Sequence, residues 1–105
     1  MDELGIYGLL LSEAGERHVY DFIESTIGVV ERYDAARGTS LVETLQAYFT
    51  SEANVAEAAG RLYVHTNTMY QRLERLDRLL GKDWREESRA LDLRLALKFR
   101  TLLSP

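Results

Sequence analysis

An all-α chain, folded as a compact bundle of about five helices, is what three features of the sequence predict. Apolar residues recur at three- and four-residue steps, the spacing that gives a helix one buried face. Ser40 and Asn54, side chains that cap helix starts, stand before apolar runs, and Gly38 and Gly81 follow such runs as helix stops.

Each element can be justified in chain order. Leu4 to Leu11 is open between a short helix and the end of a strand, and is read as helix. Val19, Phe22, Ile23, Thr26, Ile27, Val30 and Tyr33 form one stripe, so a helix runs from about Arg17 to Ala36 and stops at Gly38. Ser40 with Glu43 makes a capping box for the next helix, whose buried face is Leu41, Leu45, Tyr48 and Phe49. Asn54, with Glu57 three residues on, starts a third helix at Val55, carrying Val55, Ala58, Ala59 and Leu62 inward. Tyr63, Val64 and His65 break the rhythm, with Val64 expected to be buried. Thr66 or Thr68 then caps a fourth helix, with Met69, Leu73, Leu76 and Leu80 inside and Gly81 at its end. A turn through Lys82, Asp83 and Trp84, with the indole plugging the end of the bundle, leads to a last helix. Its apolar stripe is wide: Leu91, Leu95, Phe99 and Leu102 on one side, Leu93, Ala96, Leu97 and Leu103 beside them. Such a helix is either central to the fold or shared between subunits.

Residues 54–80 have the shape of a helix-turn-helix. Ala58 and Ala59 are small enough for a second helix to cross close to the first. The following helix opens with a polar face, Thr66, Asn67, Tyr70, Gln71 and Glu74, flanked by Arg72 and Arg75, which suits contact with base edges and phosphates. Many such turns carry glycine where Tyr63 stands, so this turn either tolerates a side chain or follows a slightly different path.

The run from Leu41 to Trp84 resembles the C-terminal helix-turn-helix domain of PucR/CdaR-type bacterial transcriptional regulators. The marks are Thr44–Phe49, Asn54 with the Ala58–Ala59 pair, Leu62, His65–Leu73, Leu79–Gly81 and the closing Leu91–Leu103 helix. Upstream, Leu4–Leu11 is similar to the tail of the region preceding that domain, and Thr26–Asp34 to the family's segment there. The family usually has proline at or beside Val29 and an aliphatic residue at Met69. The resemblance implies that residues 1–16 are the remnant of, or linker from, a regulatory region and that residues 17–105 are the DNA-binding domain. It also implies an upstream regulated region in the full-length protein, in a family that responds to small metabolites such as purine breakdown products or sugar diacids.

Composition fits one small domain: 105 residues, 46% hydrophobic and 29% charged, with no cysteine for disulfides or thiolate metal sites. So small a core favours association with a second copy or with the upstream region. No apolar run reaches the roughly 20 residues needed to span a bilayer, and the start lacks a basic secretion signal, so a cytoplasmic location is expected. The net charge of −4 is unevenly spread: residues 1–52 balance to −7, residues 53–82 to +2 and the remainder to +1. Phosphate attraction per subunit is therefore small, and a homodimer on double-stranded DNA is expected.

Within the candidate site, Thr66, Asn67, Tyr70 and Gln71 are expected to face the major groove, with His65, Thr68, Arg72 and Arg75 near the backbone. Gln71 and Asn67 can pair with adenine, although Asn67 can also serve as a cap. One of the two threonines is expected to act only as a cap. Arg72 and Arg75 can alternatively pair with Glu74 or Asp77, Tyr70 can sit at the bundle rim, and His65 touches phosphate or caps the turn. A lone histidine pair, His18 and His65, supplies no metal site, and no glycine loop or nucleophile–base pair suggests catalysis or a cofactor. The competing reading is a helical protein-interaction module that does not read DNA.

Overall fold

The structure is a computed structural model that describes residues 12–103. The described residues form five α-helices: α1 (Glu13–Arg37), α2 (Leu41–Thr50), α3 (Val55–Arg61), α4 (Thr66–Leu80) and α5 (Glu87–Leu103), with a 3-10 turn at Lys82–Arg85 before α5. The Leu4–Leu11 reading lies outside the described residues. The first long helix starts at Glu13 rather than Arg17, because Ser12 has extended backbone and its Oγ accepts from the Gly15 amide at 3.4 Å. The boundary expected after residue 16 therefore falls inside the first turns of α1.

Gly38 ends α1 in the left-handed conformation, φ 66°, with its amide on the Asp34 carbonyl. The start of α2 departs from the expected capping box. Ser40 makes no side-chain cap bond. Instead the carboxylate of Asp34, one turn before the end of α1, accepts from the Leu41 amide through Oδ1 at 2.8 Å and from the Val42 amide through Oδ2 at 3.0 Å, and also from the Thr39 hydroxyl. A full negative charge at a helix N-terminus satisfies two orphan donors and opposes the helix dipole favourably. Asp34→Ala is expected to cost about 1–2 kcal/mol, whereas Ser40→Ala should cost under about 0.5 kcal/mol. Urea midpoints of the two variants check the contrast.

Every element supplies at least one side chain with no solvent exposure: Ile27 and Val30 from α1, Leu45 and Thr44 from α2, Ala58 from α3, Met69 and Leu76 from α4, Trp84 from the 3-10 turn and Ala96 from α5. Each large aliphatic in this set contributes on the order of 1.5–3 kcal/mol by leaving water. Thr44 is accommodated because its hydroxyl donates to the Ser40 carbonyl at 2.8 Å. Phe49, Tyr33, Phe22, Val64 and Leu62, expected inside, are only half-buried and pack on the rim of this core.

The wide apolar stripe of α5 is divided. Leu93, Ala96 and Leu97 are buried, while Leu91, Leu95 and Leu102 are exposed. The half-buried Phe99 meets Phe22 of α1 edge to face, ring centroids 6.2 Å apart, and Arg100 Nε donates to Glu31 at 2.8 Å, fastening α5 to α1. No described helix is long and apolar enough to cross a membrane.

Candidate nucleic-acid interface

The α3–α4 unit is built from its caps inward. Asn54 Oδ1 accepts from the Glu57 amide at 3.0 Å, and Glu57, rather than reaching back to close a capping box, pairs with Arg61 at 3.2 Å. Ala58 and Ala59, at 0% and 2% exposure, let α3 sit tightly among its neighbours α2 and α4. The bend after α3 is held by backbone bonds: Leu62 N–H to the Ala58 and Ala59 carbonyls, Tyr63 N–H to Gly60, and Val64 N–H to Ala59 at 3.0 Å.

Tyr63 occupies the left-handed region at φ 55°, and its side chain is 96% exposed. The turn thus keeps the conformation in which glycine is commonest and tolerates tyrosine there, with the ring aimed at solvent where it meets no crowding. Glu52 and Ala53, at the α2–α3 junction, also have positive φ.

The cap of α4 corrects the sequence reading. Neither Thr66 nor Thr68 caps the helix; His65 does, its Nδ1 accepting from the Asn67 amide at 3.0 Å. The reading of His65 as a cap is the one the structure bears out. Gly81 ends α4, φ 89°, its amide on the Asp77 carbonyl at 2.9 Å.

Met69, Leu73, Leu76 and Leu80 turn α4 inward, which fixes where the remaining side chains go. Asn67 and Gln71 lie on the face opposite this stripe and are exposed, as is Tyr70 (58%) to one side. Thr68, Arg72 and Arg75 lie to the other side, Thr68 and Arg72 half-buried. Thr66 is half-buried beside Tyr70. The eight candidate residues are thus spread over the first three turns of α4 and its cap, with Asn67 and Gln71 on the outer face, Thr66 and Tyr70 on one flank and Thr68, Arg72 and Arg75 on the other.

Neither arginine takes the acidic partners considered for it. Glu74 is occupied by Arg78 at 3.1 Å, and Asp77 accepts from Trp84 Nε1 at 2.7 Å and from Arg85 at 3.3 Å. Arg75 instead donates to the hydroxyl of Tyr33 on α1, and its guanidinium lies 5.5 Å from that ring's centroid. This contact spans 42 residues of sequence, and no local pattern signals it.

A model of the PucR C-terminal helix-turn-helix domain matches residues 41–99 of the chain. The chain is 43% identical over 65 residues to the purine catabolism regulatory protein of Bacillus subtilis, a match covering 62% of the chain and 12% of that protein. It is 29% identical over 98 residues to the DNA-binding transcriptional activator AdeR of the same organism, covering 93% of the chain and 23% of AdeR. A third relative, 25% identical over 81 residues, is the proline-responsive transcriptional activator PutR, also from Bacillus subtilis, with 77% of the chain and 20% of PutR covered. The chain thus spans between about an eighth and a quarter of the length of these regulators. No solved structure matches it. The capped α3–α4 pair, its outward polar face and the span of the domain match agree: the chain belongs to the family of PucR C-terminal helix-turn-helix domains.

Proposed function

We propose that this chain is the DNA-reading part of a cytoplasmic transcriptional regulator, with α4 lying in the major groove. The observation that carries the reading is the state of Asn67 and Gln71. Both side chains are exposed on the outer face of α4 close to its capped start, and neither makes a hydrogen bond among the described residues. Amides presented in this way can pair with adenine N6 and N7. In this reading Thr66 and Tyr70 border the same groove, and His65, Thr68, Arg72 and Arg75 lie toward the phosphates.

The active form is proposed to be a homodimer on a two-part site. The exposed Leu91, Leu95 and Leu102 share the side of α5 that carries Phe99, and Phe99 meets Phe22, which stands two turns before the exposed Val29 on the same face of α1. An apolar strip of this kind on a small domain suits burial against a second copy. Residues 1–16 are proposed as the end of a preceding regulatory region, with residues 17–105 as the DNA-binding domain. The unit has no catalytic role in this scheme.

Selection of bound duplexes from a random pool tests the reading, run with the 105-residue chain and with Asn67→Ala and Gln71→Ala. A recovered motif should relax at one position in each variant, corresponding to about 1–3 kcal/mol of discrimination per lost amide pair. A folded, dimeric chain that recovers no motif would leave a protein-interaction module as the function.

A further inference from the structure

Eleven arginines stand in the sequence. Among the described residues six are ion-paired: Arg32, Arg61, Arg78, Arg85, Arg89 and Arg100. Of the other five, Arg37, Arg72 and Arg75 line one shallow concavity of about 430 Å³ between the end of α1 and the flank of α4, with Tyr33, Thr39 and Thr68. Arg37 and Arg75 have their guanidinium carbons 5.4 and 5.5 Å from the centroid of the same Tyr33 ring. The acid nearest Arg37 in sequence, Asp34, gives its carboxylate to the α2 amides and the Thr39 hydroxyl, and Glu74, between Arg72 and Arg75 in sequence, pairs with Arg78 at 3.1 Å.

Three guanidinium groups gathered without an ion-paired carboxylate repel one another, and an arriving anion relieves that repulsion. Tyr33 holds two of them ready, so little side-chain freedom is lost on binding. Guanidinium geometry suits the oxygens of a phosphate. We propose that Arg37, together with Arg72 and Arg75, seats a phosphate of the DNA backbone beside the groove read by α4, with Tyr33 as the positioning residue. This rests on the DNA reading given above. It extends the contact surface to α1, outside the 41–99 span of the family's domain.

The test is binding of the 105-residue chain to a mixed-sequence duplex, followed by fluorescence anisotropy across a range of salt concentrations. Arg37→Gln should lower the slope of log K against log salt by about 1 for each bound subunit and weaken low-salt binding roughly tenfold per subunit. Arg37→Lys should restore the slope, since the charge returns. Arg17→Gln, an exposed arginine on the same helix about 30 Å from Arg37, should change neither quantity. Arg37→Gln should also leave the selected sequence motif intact, unlike Gln71→Ala. An unchanged slope in Arg37→Gln, with Gln71→Ala still relaxing the motif, overturns the phosphate seat while the groove reading stands. Absence of salt-dependent binding by the unaltered chain overturns both.

Discussion

Trp84→Ala should lower the stability of the fold by about 3–5 kcal/mol, a large share of the roughly 5–15 kcal/mol that holds a domain together. The indole is wholly buried and meets Tyr48 and Phe49 edge to face, with centroids 5.4 and 6.0 Å away. Its Nε1 also donates to Asp77, so truncation opens a cavity and strips a half-buried carboxylate of its best partner at once. Trp84→Phe refills most of the volume without the donor, and its loss should be nearer 1–2 kcal/mol. Urea unfolding followed by circular dichroism separates the two costs, since the sequence has no other tryptophan to report by fluorescence.

Ala58→Leu is the second large effect, and it acts on the α3–α4 unit itself. Ala58 has no exposed surface, and α3 is packed by both α2 and α4. A leucine there overfills the crossing and should cost about 1–3 kcal/mol while pushing α4 outward. Affinity for duplex DNA should then fall by more than the unfolded fraction explains, as read by anisotropy beside a thermal melt. Gly60→Ala, on the same short helix, is the control. A methyl group at that position meets no atom within 4 Å, and the change should be neutral or stabilising by about 0.5–1 kcal/mol.

Most of the architecture is legible along the chain because its signals are local. Gly38, Asn54 and Gly81 act within one turn of themselves, and the stripe Met69, Leu73, Leu76, Leu80 is a statement about one helix. What escapes a linear reading is whatever acts between elements. Asp34 caps a helix seven residues away across a glycine turn, so the nearer Ser40 looks like the cap. His65 takes the capping place of the threonines because its Nδ1 reaches the second amide of α4, a geometry that residue type alone does not advertise. Tyr33 reads as one more member of an apolar stripe until the fold brings Arg37 and Arg75 to its ring. On α5 the eight apolar positions look alike in sequence, and only packing divides Leu93, Ala96 and Leu97 from the exposed Leu91, Leu95 and Leu102.

The bends at Glu52, Ala53 and Tyr63 bear on how the chain reaches this structure. None of the three residues prefers left-handed backbone on its own, so neither junction supplies a local seed for the helices it joins. The bends are therefore expected to settle only as α2, α3 and α4 pack on one another, because that packing must offset their backbone cost. The Val64 amide, bonded to Ala59 across the second bend, should accordingly exchange its proton with solvent only when the whole domain opens. On that expectation the α3–α4 pair has no life as a separate hairpin and forms together with the bundle.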